Sequence, residues 1–247
     1  MTVDILTVFP EMFESVFSAS ILGRAREQGL LDIRLTDIRA FSAAKHKNTD
    51  DYPFGGGAGM VMTAQPILDA MAAVSASLPD ARRIYLGPRG RKLNTALARE
   101  LAAEESLILL CGHYEGVDQR ALDMCIDEEI SIGDYILTGG ELAAMVLTDC
   151  VARFIPGVLG CAESPEEESF SDGLLEYPQY TRPRDLDGRL VPEVLLNGDH
   201  AKIRAWRRRE SLRATLRFRP DLLKTADLSP DDLKMLKELE DECSSEN

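Results

Sequence analysis

The chain has 247 residues, of which 45% are hydrophobic and 28% charged, and this balance predicts a folded chain with a buried core rather than a disordered one. Its formal net charge of −14 argues against broad, non-specific binding to nucleic acid. No apolar run reaches the roughly 18 residues of a membrane span, and the N-terminus lacks the features of a signal peptide. The 5 cysteines form no CxxC pair, which predicts a reduced, cytoplasmic protein without a structural zinc site.

The first third of the chain is predicted to alternate between strands and helices. Val3 to Phe9 is apolar and β-branched, a helical stretch runs from Pro10 to Gln28, and Leu31 to Thr36 alternates with the period of a strand. The glycine-rich stretch from Asp50 to Met60 predicts a loop without regular structure, and Thr63 to Ala76 predicts a helix.

Three further predicted strands each end in a glycine turn. They are Ile84–Leu86 before Gly87, Leu107–Cys111 before Gly112, and Glu129–Ile132 before Gly133. Helical patterns lie between or after them, and strands alternating with helices predict an α/β domain with a mainly parallel sheet. Because ligands of such sheets bind outside the carboxyl ends of the strands, the three turns predict one shared pocket.

Glycines in this region allow the main chain to approach a flat ligand closely; they are Gly87, Gly112, Gly116, Gly133, Gly139 and Gly140. Each of them, taken singly, is equally consistent with a purely structural turn. The sequence has no GxGxxG fingerprint opening a βαβ unit, no Walker A motif and no GxSxG elbow. Dinucleotide, ATP-hydrolysing and serine-hydrolase chemistry therefore lack support, and the 3 histidines have no metal-ligand spacing.

The last third of the chain has a distinct character. Cys161 to Gly173 is polar and acidic, which predicts a linker or mobile loop, and Leu174 to Asn247 is predicted to be mostly helical. Lys202 to Arg219 holds eight basic residues and a single acid, Glu210. A local basic segment in an acidic chain is typical of a protein that binds one RNA and repels others, or of a solvated charged helix.

The arginines of this segment divide between two helix faces at about 100° per residue. One side holds Arg204, Arg207 and Arg208, and the other holds Arg209, Arg213 and Arg217. One face is thus available to a phosphate backbone, while the other is solvated or paired. Trp206 is predicted to be a core residue rather than a platform for a stacked base.

Several long blocks of the sequence, taken together, are far more specific than any one turn. They are FPEMF, FGGGAGM, CGHYEGVD, SIGDYILTGGELAAM, RFIPGVLG, ESFSDGLLEYPQYTRP and PEVLLNGDHAKIRAWRRRES. In this order and register, from about Thr2 to about Leu223, the chain resembles the bacterial tRNA (guanine-N1)-methyltransferases.

The resemblance implies an architecture that no spacing in the sequence indicates. The implied fold is the SPOUT type, an α/β parallel-sheet domain tied in a C-terminal trefoil knot, followed by a small, mostly helical domain. Residues 1–160 would form the SPOUT S-adenosylmethionine-binding domain, residues 161–173 a flexible acidic linker, and residues 174–247 the helical tRNA-binding domain. The implied assembly is a homodimer in which both subunits build each active site, with no membrane association.

The resemblance also implies the reaction and its cofactors. The methyl donor is S-adenosyl-L-methionine, the target is N1 of the guanosine immediately 3′ of the anticodon (position 37), and a contribution from Mg²⁺ stays open. The residues that this resemblance assigns to the donor are Tyr85, Leu86, Gly87, Pro88, Cys111, Gly112, Tyr114, Glu115, Ser131, Ile132, Gly133, Asp134, Tyr135, Ile136, Leu137, Gly139 and Gly140.

Guanine N1 carries a proton at neutral pH, so the reaction needs a base. The base of the family is an aspartate just before Ser-Phe, and here that position is Glu168, a departure that lengthens the side chain by one methylene. Glu167 and Asp172 are the alternative candidates for the base. A further alternative is that the acidic linker contains no catalytic residue. Arg153, in RFIPGVLG, matches the family arginine that stabilises negative charge on O6 of the base.

Other residues of these blocks keep open roles. Glu115 and Asp134 either face the positive charge of the donor or hold a turn, and His113 is assigned no role. The loop from Asp50 to Gly59 either shapes the guanine pocket or only turns the chain. Two rival interpretations remain, a SPOUT enzyme that methylates a different RNA or atom, and a non-catalytic RNA-binding protein that retains the fold.

Overall fold

The computed structural model describes residues 1–160 and 168–245, and the chain divides into two compact units, Met1–Ala162 and Glu163–Asn247. Most of the predicted linker at residues 161–173 lies outside the described residues, so its flexibility stays a prediction. No helix in the described part of the chain combines the length and apolarity that crossing a membrane requires.

The N-terminal unit alternates strands and helices. Its strands are β1 (Thr2–Thr7), β2 (Asp32–Asp37), β3 (Asp50–Asp51), β4 (Val61–Met62), β5 (Arg82–Lys92), β6 (Ser106–Cys111) and β7 (Glu128–Ser131). Its α-helices are α1 (Glu14–Phe17), α2 (Ser20–Glu27), α3 (Ala64–Ser77), α4 (Thr95–Ala102), α5 (Gln119–Cys125) and α6 (Glu141–Ala152). Short 3₁₀ turns cover Pro10–Phe13 and Ile38–Phe41.

Five of these strands form one sheet in the order β2-β1-β6-β5-β7, and every pairing in it is parallel. The predicted α/β class with a parallel sheet is therefore confirmed. Because all five strands run the same way, their carboxyl ends meet at one edge of the sheet, which is where a ligand site is expected.

The sheet is buried on both faces, and β6 explains why. Leu107, Leu109 and Cys111 point into one apolar cluster with α2, α4 and α6. Ile108 and Leu110, which alternate with them, point into a second cluster with α3 and α5. Successive side chains of a strand face opposite sides of a sheet, so a continuous apolar run is what a doubly covered parallel strand needs.

Three predictions about element bounds were wrong. The helix predicted from Pro10 to Gln28 is interrupted, because Ser20 has a left-handed φ of 53°, and α1 and α2 are separate. Strand β5 does not stop at Gly87 but resumes its pairing with β7 at Arg91 after an irregularity. The predicted loop at residues 50–60 begins with a strand, since Asp50 and Asp51 pair with β4.

The C-terminal unit is mainly helical, as predicted, with α7 (His200–Phe218) and α8 (Pro230–Ser245). It also contains a hairpin that was not predicted, formed by β8 (Asp185–Leu186) and β9 (Arg189–Leu190). Its buried centre is Leu174, Leu212 and Leu239. Trp206 was predicted to be a core residue, which is wrong: it is half-buried and lies beside Tyr180, with ring centroids 6.3 Å apart.

The basic helix α7 is neutralised in part by acids of its own unit. Arg209 pairs with Glu242 of α8 at 2.6 Å, and Arg208 pairs with Asp232 at 2.8 Å. These arginines come from the two different faces that the helical periodicity defines, so pairing does not follow the predicted division. The acids near the C-terminus thus have a structural role in holding α8 against α7.

Replacing Asp232 by Asn should destabilise this unit at neutral pH. The hydrogen bond with Arg208 is the main cause that lowers the pKa of this carboxyl from its ordinary 3.8 to about 2; burial opposes the fall, and the bonds from Ser229 add to it. A lowered pKa contributes stability that is present above pH ~3.9 and lost as pH falls toward 2, here about 2 kcal/mol. Urea unfolding of wild type and Asp232→Asn between pH 7 and pH 2.5 measures this stability difference and its loss at low pH.

Asp231→Asn is the matched control, because the side chain of Asp231, next to Asp232 in the chain, is exposed. Its unfolding free energy at neutral pH should stay within about 0.5 kcal/mol of wild type, as for most exposed substitutions. A deficit in Asp232→Asn that stayed constant down to pH 2.5 would contradict this account.

Candidate functional site

A cavity of about 210 Å³ lies at the carboxyl edge of the sheet, where β5, β6 and β7 end. The turns after β6 and β7 and the bend of β5 at Gly87 border it together, with the first turn of α6 closing one side. The three strand ends expected to share a pocket therefore do line one cavity. Its lining residues are Tyr85, Leu86, Gly87, Pro88, Gly112, His113, Tyr114, Glu115, Gly116, Ile130, Ser131, Ile132, Gly133, Tyr135, Ile136, Leu137, Thr138, Gly139, Gly140 and Ala143.

Two of the residues assigned to the donor do not line this cavity. Cys111 is fully buried, and burial, with the negative charge of Glu141, raises the pKa of its thiol well above the ordinary value. It is therefore a neutral core residue beneath the cavity. Asp134 is exposed and forms an ion pair with Lys92 at 2.7 Å, and its role toward the donor stays a prediction.

Sequence reasoning missed several lining residues, and their positions show how they could have been found. His113 stands between Gly112 and Tyr114, and Thr138 stands between Leu137 and Gly139, so each is enclosed by assigned neighbours. Ala143 lies three residues after Gly140, which is the spacing of one helix face. Once the turns are recognised, their immediate neighbours and the residues at helical spacing from them are also expected to line the cavity, which would have included these residues.

Close main-chain contact joins the start of α6 to the end of β6. The N–H of Gly140 donates to the carbonyl of Gly112 at 2.7 Å. A Cβ at Gly140 would lie 2.8 Å from the Cα of Cys111 and 3.0 Å from the nitrogen of Gly112. Both neighbours are backbone atoms that cannot swing aside, so this position requires glycine. The wall of the cavity here is bare main chain.

A buried carboxylate lies behind this wall. Glu141, in the first turn of α6, is only 1% exposed, and its Oε1 accepts a hydrogen bond from the Thr7 hydroxyl at 2.8 Å. Its Oε2 is 3.7 Å from His113 Nδ1, beyond hydrogen-bond distance. His113 Nδ1 is buried without a hydrogen-bond partner, and its ring lies against Phe9, with centroids 4.8 Å apart. This ring forms part of the cavity wall.

Gly139 makes the approach of His113 and Glu141 possible. A Cβ at Gly139 would collide with the carboxylate of Glu141 and would lie 2.5 Å from His113 Nδ1. His113 and Gly139 also form an isolated antiparallel bridge. The two consecutive glycines before α6 therefore serve different contacts, one with main chain and one with the buried polar pair.

The rim of the cavity is apolar and exposed. Tyr135 is 57% exposed and Ile136 is 80% exposed, and Tyr114 on the opposite turn has a left-handed φ of 59°. Such a φ is uncommon for a residue with a side chain and often accompanies a functional site. Burial, followed by the charge of Glu129, raises the pKa of Tyr85, so its hydroxyl stays protonated at neutral pH.

The loop from Asp50 to Gly59, predicted either to shape the guanine pocket or only to turn the chain, ends beside the same cavity. The N–H of Glu115 donates to the carbonyl of Met60 at 2.9 Å, so the end of the loop lies against a lining residue. Phe54, near the loop tip, is fully exposed. The loop is thus anchored at its base and presents an aromatic ring to solvent.

The two candidate catalytic residues belong to different units. Arg153 is the C-cap residue of α6 and is half-buried. Glu168 lies in the C-terminal unit, where it borders a cavity of about 220 Å³ together with Tyr177 and Arg207. Of the alternatives, Asp172 pairs with Arg208, and Glu167 lies outside the described residues.

Within residues 1–160 and 168–245, no group of three or more histidine, cysteine, aspartate and glutamate side chains could hold a metal ion. The sequence predicted no metal ligands, and the role of each assigned residue stays a prediction at this point.

The fold and the cavity define an α/β protein with a candidate ligand site at the carboxyl edge of a parallel sheet. Comparison with known proteins identifies the family. The chain belongs to the family described as tRNA (Guanine-1)-methyltransferase TrmD, whose model matches residues 1–225.

Relatives of nearly equal length are similar to this chain throughout. A tRNA (guanine-N(1)-)-methyltransferase of Geobacter metallireducens is 54% identical over 244 residues, covering 99% of this chain and 100% of the relative. A protein of the same name from Geobacillus kaustophilus is 56% identical, covering 98% of this chain and 99% of the relative. Another from Moorella thermoacetica is 55% identical, covering 97% of this chain and 96% of the relative.

Gly140→Ala should lower the free energy of unfolding by about 1–3 kcal/mol, because the added methyl group overpacks fixed backbone atoms. Gly160→Ala is the matched control, since a Cβ there meets nothing within 4 Å, and its stability should stay within about 0.5 kcal/mol of wild type. Chemical denaturation of both variants tests the difference. Equal stability of the two variants would contradict the close contact.

Proposed function

We propose that this protein is an S-adenosylmethionine-dependent tRNA (guanine-N1)-methyltransferase that acts on the guanosine immediately 3′ of the anticodon. The observation that carries the proposal is the single cavity at the sheet edge. It is lined by the turns that the family resemblance assigns to the methyl donor. Family membership over residues 1–225 supports the same reaction.

The lining of the cavity suits the chemistry of the methyl donor. Bare main chain at Gly112 and Gly140 allows a flat adenine or ribose to approach closely. When bound, S-adenosylmethionine supplies an electrophilic methyl group on a positively charged sulfur. Glu115 lines the cavity and is the better counter-charge of the two carboxylates considered, because Asp134 is engaged by Lys92.

Two side chains are proposed to act on the guanine. Glu168 removes the N1 proton and holds it on its carboxylate, which makes N1 nucleophilic. Arg153 donates to O6, where negative charge develops as the proton leaves. A positioned base contributes about 10²–10⁴ in rate, and a fixed donor to a developing oxyanion contributes a further factor of similar size.

The SPOUT knot and the homodimer are part of this proposal. Apolar side chains near the cavity rim and on α6 support an interface, since Ile136 is 80% exposed, Leu142 48% and Val146 47%. Leu142 and Val146 are four residues apart on α6 and so lie side by side on one helix face, and an exposed apolar patch is typical of a contact with another protein. A second copy covering this surface would bring its own residues to the cavity, as an active site built from both subunits requires.

The C-terminal unit is proposed to bind tRNA. Arg204 and Arg217 on α7 are exposed, and each can neutralise a phosphate of the RNA backbone. A tRNA substrate implies a protein of the bacterial cytoplasm. A contribution from Mg²⁺ stays open, and the described residues offer no group of three or more histidine, cysteine, aspartate and glutamate side chains to hold it.

Incubation with methyl-labelled S-adenosylmethionine and an unmodified tRNA transcript should give label at N1 of the guanosine 3′ of the anticodon. Nuclease digestion and mass spectrometry identify the methylated nucleoside. A transcript with adenosine at that position is the control and should accept no label. Label on a ribose or at another nucleotide would support the rival SPOUT activity, and no transfer would support the non-catalytic rival.

Glu168→Gln should lower single-turnover methyl transfer by about 10²–10⁴, because the amide cannot accept the N1 proton. The affinity for S-adenosylmethionine, measured by calorimetry, should not change. Glu176→Gln is the control, since this residue borders the same cavity as Glu168. Transfer by Glu168→Gln at the wild-type rate would remove it as the base and direct attention to Glu167.

A further inference from the structure

The segment that follows Glu168 is held to helix α7 at three points. Leu174 is 1% exposed and packs with Leu212 of α7. The N–H of Leu175 donates to Thr215 Oγ1 at 2.9 Å. Asp172 forms an ion pair with Arg208. One apolar contact, one hydrogen bond and one ion pair therefore fix the same stretch of four residues to one helix.

Arg208 is itself held rigidly. Its Nε and Nη2 donate to the two carboxylate oxygens of Asp232 at 2.8 and 2.9 Å, a fork geometry that restricts the guanidinium more than a single contact does. Asp232 is 5% exposed and also accepts from the N–H and the hydroxyl of Ser229. The remaining Nη1 of Arg208 is thereby aimed at Asp172.

The turn that Asp172 anchors includes the backbone of Glu168. The N–H of Ser171 donates to the carbonyl of Glu168 at 3.2 Å, and the N–H of Phe170 donates to the carbonyl of Leu174 at 2.7 Å. Asp172 Oδ1 accepts from the N–H of Leu174. A hydrogen-bonded turn thus connects the candidate base to the residue that Arg208 holds.

We propose that Arg208, through Asp172, is a positioning residue for the base of the methyl transfer. This inference rests on the proposed function, in which Glu168 takes the N1 proton. Arg208 holds the turn of Glu168 on the unit that carries the basic helix α7. The base is therefore delivered by the unit proposed to bind tRNA, and donor binding does not require it.

The chain offers a matched control one residue further along α7. Arg209 also pairs with α8, through Glu242 at 2.6 Å. Arg208→Gln and Arg209→Gln each remove one arginine and one ion pair between the same two helices. Only the first removes the contact with Asp172.

The experiment measures single-turnover methyl transfer by the full-length protein on an unmodified tRNA transcript, with wild type and Glu168→Gln in parallel. Arg208→Gln and Asp172→Asn should each lower the rate about 10- to 100-fold, the effect expected of a misplaced reacting group, with Kd values for donor and tRNA unchanged. The double variant should be no slower than the slower single variant. Arg209→Gln should retain the wild-type rate.

Hydrogen exchange followed by mass spectrometry gives a readout that does not depend on activity. Arg208→Gln and Asp172→Asn should raise exchange in the peptide covering residues 169–177, while Arg209→Gln leaves that peptide as in wild type. Equal rates and equal exchange for Arg208→Gln and Arg209→Gln would overturn the proposal. Additive losses in the double variant would also overturn it, because Asp172 would then act independently of Arg208.

Failure of the underlying function has a different signature. A wild type that transfers no methyl group to guanine N1 removes the proposed function and this inference with it. If Glu168→Gln is active, Glu168 is not the base, and Arg208 then has no base to position. If wild type is active, Glu168→Gln is inactive and Arg208→Gln transfers at the wild-type rate, then Glu168 is still the base but Arg208 does not position it.

Discussion

The hydrogen bond between the N–H of Gly140 and the carbonyl of Gly112, 2.7 Å long, is the constraint on which the candidate site depends. It fixes the first turn of α6 against the end of the central strand β6. The same contact gives the cavity a main-chain wall and puts the buried carboxylate of Glu141 behind it. Helix α6 then runs away from this point to Arg153, its C-cap residue, so the position of the candidate arginine follows from the same attachment.

The parallel sheet could be predicted because its signal is local. An uninterrupted apolar run such as that of β6 has few uses other than a strand covered on both faces. The break between α1 and α2 could not be predicted, because it depends on one backbone angle at Ser20 in a sequence whose helical pattern continues through it. The extension of β5 to Lys92 depends on pairing with β7, which lies about 40 residues further along the chain.

The candidate site was predicted from two kinds of signal with different reach. Strand-end glycines indicated where a cavity would form, and family resemblance supplied the ligand and the residues. Neither signal separates a residue that lines the cavity from its neighbour, so Cys111 and Asp134 were included and His113 was left without a role. Alternation decides this for Cys111, whose side chain points into the core cluster, and only three-dimensional contact reveals the pairing of Asp134 with Lys92.

The main-chain wall at Gly112 and Gly140 has a consequence for how binding preference can change in such a protein. A wall without side chains presents no group that a substitution could exchange, and any side chain added at Gly140 would strike backbone atoms. Variation in what the cavity accepts is therefore confined to the lining residues that carry side chains, such as Tyr135 and Ile136 at its exposed margin. Redesign aimed at enlarged donor analogues should begin at that margin and leave the paired glycines untouched.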